Sequence, residues 1–297
     1  MENGYLATRL LRASIHEEVR LDMFIKMSAS VTRQHARDMI DWGYVTVNGQ
    51  VQTKYHRLVR NSDEITYKYY KKQPVEITPF ESNLEVIYKG DGFIAVNKPA
   101  GMIIHPSGYR ETNTLVNAVK GMYPENTIHA INRLDRDTTG IVIVALNPET
   151  AAKLVKIVMK RKVYKEYICL VHGKIEKPGE ILAEISKQGE GKAYRKIVDK
   201  GGYSAHTVYD PIKVNDSSTL LKVVLKTGRT HQIRAHMQHI GHPIVGDQTY
   251  GDRALDIKLL GEDNLPKGQL LHAHKIEFEP PGTLKMLAIT ANPPWDV

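Results

Sequence analysis

The hydrophobic pattern divides the chain into a short first segment and a longer second one. Between residues 20 and 66, Leu21, Phe24 and Ile25 recur with helical spacing. A second helix is predicted to start near Ser30 or Thr32, either of which can cap it, and to end at Gly43. Ala36 and Ile40 lie four apart on an inward face of that helix, and Arg33 and Arg37 share another face. Tyr44-Val45-Thr46-Val47 alternates as a strand, Asn48-Gly49 signals a tight turn, and a second strand pairing ends at Ile65. Tyr67-Lys68-Tyr69-Tyr70-Lys71-Lys72-Gln73-Pro74 reads as a linker or, by preference, as an edge strand guarded by lysines. Its interleaved tyrosines and lysines also suit stacking and phosphate contact.

From residue 83 strands dominate. Segments 84–88 and 93–96 flank the turn Lys89-Gly90-Asp91-Gly92, and further strands are predicted near 163–171, 181–184, 205–209, 219–225 and 271–278. Helices are predicted over 114–122, 148–160 and 230–240, the last stopped by Gly241. Helices interspersed with runs of adjacent strands predict an α+β fold with a large mixed or antiparallel sheet, not regular βαβ winding. The expected organisation is a small unit over residues 15–75 and a larger one over 80–297.

Charge adds a partner to this picture. The chain has 41 Lys and Arg against 33 Asp and Glu, a net charge of +8. Residues 1–75 hold 12 basic and 8 acidic side chains, half of that surplus in a quarter of the chain. Such a balance favours a polyanionic partner. The single cysteine, Cys169, lies in an apolar stretch, so no disulfide framework or cysteine zinc site can be built, and a cytoplasmic setting is expected. No apolar run approaches a membrane span, and Met1-Glu2-Asn3-Gly4-Tyr5 lacks the pattern of a secretory signal.

Four segments carry candidate chemistry. Asn132-Arg133-Leu134-Asp135-Arg136-Asp137-Thr138-Thr139-Gly140 is dense in charge, yet Ile141-Val142-Ile143-Val144-Ala145-Leu146 follows at once as a buried strand. A carboxylate flanked by guanidinium groups there is expected to stay ionised and to serve as nucleophile or base, although a charged turn explains the segment equally well. Lys226-Thr227-Gly228-Arg229-Thr230-His231-Gln232-Ile233-Arg234 runs from a strand through a glycine turn into a helix. That is either an anion site or a capped helix with solvated basic residues. Asn97-Lys98-Pro99-Ala100-Gly101-Met102-Ile103-Ile104-His105-Pro106 sets Lys98 at a cleft edge or forms a plain hairpin loop. In Tyr164-Lys165-Glu166-Tyr167, Tyr167 is a pocket wall or a half-buried strand tyrosine.

Together the four segments resemble the RluA-type RNA pseudouridine synthases. That family's central signature is His-Arg-Leu-Asp, two variable residues, then Thr-Ser-Gly. Arg133, Leu134, Asp135, Thr138 and Gly140 match it, with Asn132 in place of the usual His and Thr139 in place of the usual Ser. The 228–234 segment with Gly241-His242-Pro243-Ile244-Val245-Gly246-Asp247 looks like the family's C-terminal motif. Asn97-Lys98-Pro99 with His105-Pro106, and Lys165 with Tyr167, match in order. Residues 20–65 resemble an S4-type RNA-binding domain.

The resemblance implies an isomerase that needs no cofactor and takes RNA as its partner, most plausibly large-subunit ribosomal RNA. By position, Asp135 is the catalytic aspartate, attacking the anomeric carbon or removing the neighbouring 2′ proton. Arg229 pairs with it, Tyr167 contacts the uracil and serves as a later base, and Ile233 lies beneath the site. Arg133 fills the gap left by the flipped base, and Lys98 lines the substrate side. Arg33, Arg37 and Lys54 contact phosphate in the small domain, so binding is expected to weaken with salt.

Rival readings are a binding-only protein, a glycosidase and a metalloenzyme. Glycosidases use two flanking carboxylates, and Asp137 is expected to point away from Asp135. The spacing of His231, His236, His239 and His242 suits structural histidines better than metal ligands. Gly189-Glu190-Gly191-Lys192 reads as a loop without the spacing of a phosphate cradle.

Overall fold

The computed structural model describes residues 4–72, 77–106, 111–187 and 194–296; Gln73, Pro74 and the loop Gly189-Glu190-Gly191-Lys192 lie outside them. The chain divides into two compact units between Glu76 and Ile77.

The first unit contains β1 (Gly4–Arg12), β2 (Val19–Arg20), α1 (Leu21–Ala29), α2 (Arg33–Asp41), β3 (Val45–Val47), β4 (Gln50–Val51), β5 (Leu58–Val59) and β6 (Glu64–Lys72). The start of α2 follows from Thr32, whose side chain accepts from the His35 N–H at 3.1 Å. Its end follows from Gly43, which takes the left-handed conformation at φ 70. Leu21, Ile25, Ala36, Met39, Ile40, Val45, Val47, Ile65 and Tyr67 form one buried core.

Residues 67–72 of the tyrosine-lysine segment are neither linker nor edge. They belong to β6, which lies inside a sheet of order β1-β6-β3-β4. Its second neighbour is β1, paired along its whole length, and no strand was predicted there because its sequence does not alternate. Tyr67 is accordingly buried, and its hydroxyl donates to the Ser28 carbonyl at 3.1 Å. The strand over residues 4–12 also extends this unit beyond the expected start at residue 15.

The second unit runs β7 (Glu85–Gly90), β8 (Phe93–Lys98), α3 (Leu115–Met122), β9 (His129–Ala130), β10 (Thr139–Ala145), α4 (Pro148–Met159), β11 (Tyr164–His172), β12 (Gly179–Lys187) and β13 (Arg195–Val198). It continues with β14 (Tyr203–Val214), β15 (Ser218–Leu225), α5 (Gln232–His239), α6 (Arg253–Leu260), β16 (Leu271–Phe278) and β17 (Leu287–Thr290). Among the described residues its strands form an eleven-stranded sheet in the order β13-β12-β14-β15-β11-β16-β10-β8-β7, with β17 beside β16 and β9 beside β10. The sheet is mixed: β10 and β16 run parallel, and the other pairs antiparallel.

β10 shows why the apolar run had to be continuous. Val142 and Val144 join the core that contains residues of α3 and α5, while Ile141, Ile143 and Ala145 join the core beneath α4. A strand covered on both faces has no polar side. Its first turn is equally constrained. Gly140 sits at φ 107, and a Cβ there would come within 2.4 Å of the Ala273 carbonyl on β16. Only glycine permits that approach. No helix among the described residues is long and apolar enough to cross a membrane.

Candidate active site

The charged turn between β9 and β10 is held at four points. At its start, the Asn132 side chain donates to the Ile141 carbonyl at 3.0 Å and accepts from the Ile143 N–H at 2.8 Å. Its carboxamide thus continues the ladder along β10 just where the main chain leaves it. In the middle, the Lys98 ammonium donates to the carbonyls of Pro99, Met102 and Arg136 at 2.8, 2.9 and 2.8 Å. At the end, Gln269 donates to the Thr138 hydroxyl at 2.9 Å, and the Thr139 hydroxyl meets Nδ1 of His272 at 2.7 Å.

Lys98 therefore does not line a cleft. It is fully buried as the clamp of this turn, because three inward carbonyls need donors that the irregular backbone does not supply. Burial pulls its ammonium down to about 8, opposed by the charges of Asp137 and Asp135.

So anchored, the turn buries Leu134, exposes Arg133, and leaves the Asp135 side chain 24% accessible. Arg133 has the exposure that contact with RNA requires. Oδ2 of Asp135 accepts from Nη1 of Arg234 at 2.9 Å, and Oδ1 lies 3.7 Å from Nε2 of His231. The rest of the Arg234 guanidinium is taken by Asp247, with Nε and Nη2 donating to Oδ2 and Oδ1 at 2.6 and 2.8 Å. Asp247, whose side chain is wholly buried, also accepts the N–H groups of Thr249 and Tyr250 at 2.9 and 3.0 Å. Burial pulls the Arg234 guanidinium down, but Asp247 and Asp135 hold it above its usual range. The Tyr250 ring lies 5.0 Å from that guanidinium, and its hydroxyl meets Nδ1 of His231 at 3.1 Å.

Arg229 is not the partner of Asp135. Its Nε donates to the Ser204 carbonyl at 3.2 Å, and its guanidinium lies 5.4 Å from the Tyr203 ring. The cause is where the helix starts. His231 takes a left-handed conformation at φ 57, and α5 begins only at Gln232. Gln232 turns back to accept the Arg229 N–H at 3.0 Å and the Thr227 hydroxyl at 2.9 Å. Arg229 thus stays on the exposed turn, while Arg234, buried, belongs to the helix.

Tyr167 and Ile233 are buried in one core with Leu134. Burial raises the Tyr167 phenol well above its ordinary range, and the charge of Asp135 raises it further. Asp135 thus meets Arg234 of α5 and His231 just before it, and lies close enough to Tyr167 for its charge to act on the phenol. Arg234, Asp247, His231, Tyr250 and Asn132 are the members that sequence reasoning missed. Arg234 and Asp247 stood within the quoted motifs, but nothing in a linear motif says which of two arginines turns inward.

In the first unit, Arg33 and Arg37 converge. With Arg20 they bond the buried carboxylate of Asp22, through Nε atoms at 3.0, 3.1 and 3.1 Å respectively. Burial raises the Asp22 carboxyl, but the hydrogen bonds from Arg20, Arg37 and Arg33 outweigh it and hold the group below its usual range. The Arg37 guanidinium also lies 4.8 Å from the Tyr55 ring, beside the exposed Lys54. Three guanidinium groups on one carboxylate leave a net positive, part-exposed cluster. Among the described residues no group of three or more His, Cys, Asp or Glu converges to hold a metal ion.

A protein-family model described as RNA pseudouridylate synthase matches residues 92–239, and an S4 domain model matches residues 19–65. An uncharacterized RNA pseudouridine synthase of Mycoplasma pneumoniae is 32% identical, over 94% of this chain and 90% of its own. A ribosomal large subunit pseudouridine synthase D of Vibrio parahaemolyticus is 30% identical, over 94% and 88%. The solved structure of human RNA pseudouridylate synthase domain containing 1 is 26% identical with a TM-score of 0.59, covering 75% of this chain and 86% of that one. The larger unit is thus an RNA-modifying isomerase, and the smaller an S4 RNA-binding domain. The chain belongs to the RNA pseudouridine synthases.

Proposed function

We propose that this protein converts specific uridines of large-subunit ribosomal RNA to pseudouridine in the cytoplasm, with Asp135 as the catalytic carboxylate. The observation that carries the assignment is the pairing of Asp135 with Arg234. One oxygen is fixed by a buried guanidinium, while the side chain stays accessible to a substrate. The ribosomal target rests on the similarity to the Vibrio parahaemolyticus enzyme over most of both chains.

Isomerisation breaks the bond from N1 of uracil to C1′ of the ribose, turns the base and joins C5 to C1′. The C5 proton is lost and N1 gains one, so no oxidant or reductant is consumed. Asp135 assists the first step, either by attacking C1′ or by taking the C2′ proton. Both routes quench its negative charge. That charge is one of the two causes that keep the Tyr167 phenol protonated. Tyr167 therefore begins as a neutral phenol, and its proton is more easily lost once Asp135 has reacted, which makes the phenolate accessible as the later base. Arg133, exposed beside Leu134, is the residue we assign to the space vacated by the flipped uridine.

The test uses purified protein and unmodified large-subunit ribosomal RNA, read by pseudouridine mapping. Wild type is expected to modify discrete sites, and Asp135→Asn to modify none while keeping RNA affinity. Residual turnover in Asp135→Asn would remove that residue from its role.

A further inference from the structure

The second unit carries a groove of about 890 Å³ that the proposed chemistry does not use. It is lined by the last turn of α4, the start of β11, the end of β15 with the turn after it, and the end of β16 with the chain beyond it. Lys156, Lys160, Arg161, Lys162, Lys226 and Arg229 are exposed along it, and Lys165 is half-buried. Only Glu277 and Glu279 oppose them, and Glu277 is already paired with Lys275 at 2.7 Å. Among the described residues none of Lys160, Arg161, Lys162 and Lys226 has a carboxylate within ion-pairing distance.

The end of α4 supplies a second, independent observation. The Arg161 N–H donates to the Val158 carbonyl at 3.0 Å and the Lys162 N–H to the Ile157 carbonyl at 3.2 Å. This is a Schellman helix end, and it holds Arg161 in the left-handed conformation at φ 55. The same motif closes α2 and α5, and there the left-handed residue is Gly43 or Gly241. At α4 the position that favours glycine carries a guanidinium instead, set between two lysines. Ser30 takes the same conformation after α1, so the backbone permits a side chain there, and at α4 that side chain is a cation on the groove.

We infer that this groove holds the phosphate backbone of the RNA strand that flanks the target uridine. The inference rests on the family assignment for its polyanion. The groove reaches toward the site through the turn after β15, where Arg229 lies two residues before His231. Tyr164, the tyrosine in its lining, donates its hydroxyl to Glu166 at 2.6 Å. With cations along its length, the groove is suited to phosphate contact.

The test compares full-length wild type, Arg161→Gly and the triple variant Lys160→Ser/Lys162→Ser/Lys226→Ser on a transcribed, unmodified large-subunit ribosomal RNA. Affinity is measured across a salt series, together with single-turnover rate at saturating RNA and melting temperature. Arg161→Gly is expected to melt at the same or a higher temperature yet bind RNA more weakly, a pairing that loss of structure does not produce. The triple variant is expected to bind roughly tenfold or more weakly at low salt, with a log–log salt slope shallower by about 2, at an unchanged saturated rate. Unchanged affinity and slope in both variants would overturn the proposal and hand the groove to another acidic partner. Weaker binding by the variants of a protein that forms no pseudouridine would uphold the groove and sink the catalytic reading.

Discussion

Asp135 is held through a chain of three charges, and the order of that chain decides what a substitution does. Asp247 is buried, bonded to two N–H groups and twice to Arg234, so it is the fixed end. Arg234 transmits that fixity to Asp135 through one N–H. Lysine at 234 keeps the charge but loses the fork that engages both carboxylates. Arg234→Lys is therefore expected to lower kcat by about a hundredfold or more while leaving RNA affinity unchanged. Arg229→Lys, on the exposed turn, is expected to act on KM and not on kcat. Steady-state kinetics of the two variants separate the assignments, and the reverse pattern would restore Arg229 as the partner. At this scale the sequence was half legible. Asp135, Tyr167 and Ile233 were named from motif position; the structure puts the Tyr167 phenol within reach of the Asp135 charge and buries Ile233 in the same core as Tyr167. Arg229 was assigned as the partner from its place at the turn and in the motif, with the helix expected over 230–240. Starting it at 232, behind a left-handed His231, is a backbone choice that side-chain types do not announce.

The element that matters most is the turn between β9 and β10, and its anchors come from far along the chain. Lys98 reaches it from β8, Gln269 from beside β16 and His272 from β16 itself. Replacing Lys98 by methionine keeps the volume of its stem and strands three carbonyls. We expect Lys98→Met to destabilise the larger unit by about 3 kcal/mol or more, measured by denaturant unfolding. Its saturated rate should fall too, because the turn that aims Asp135 is loosened. Asn132→Ala removes one acceptor from the Ile143 N–H and one donor from the Ile141 carbonyl, and is expected to cost about 1–3 kcal/mol. Element bounds were most legible where burial was two-sided. The strand over 271–278 and the helices over 114–122 and 148–160 lie within a residue or so of their predicted limits, since a covered strand or an amphipathic helix must show its period. β1, β13, α6 and β17 went unread. They are short or half-exposed, and their partners are fixed by the sheet and not by local preference.

The molecule as a whole joins two units whose buried ionisable groups give way to acid in different pH ranges. In the larger unit His236 and His272 are wholly buried, and burial pulls both imidazoles down to about 4. Neither ring nitrogen of His236 meets a partner among the described residues. Such groups are neutral in the folded state, and the unfolded chain protonates them near 6.5. The unfolded state therefore binds more protons between those values, and stability falls as pH drops from about 6.5 to 4. The loss amounts to about 3 kcal/mol for each imidazole if its pKa shift is fully realised. In the smaller unit the determining group is Asp22, whose carboxyl is held below its ordinary 3.8 by three arginines. Its contribution is present above that value and is lost only as pH falls through the lowered one. Acidification is thus expected to unfold the larger unit first. Trp42 and Trp295, one in each unit, are the two tryptophans of the chain and allow the order to be read. In variants that keep one tryptophan and carry phenylalanine at the other, the Trp295 signal should change between pH 6.5 and 4 while the Trp42 signal holds to lower pH. His236→Leu should shift the Trp295 transition to lower pH and leave the Trp42 transition in place. A single shared transition, unmoved by His236→Leu, would show that the buried imidazoles do not set the acid limit of this enzyme.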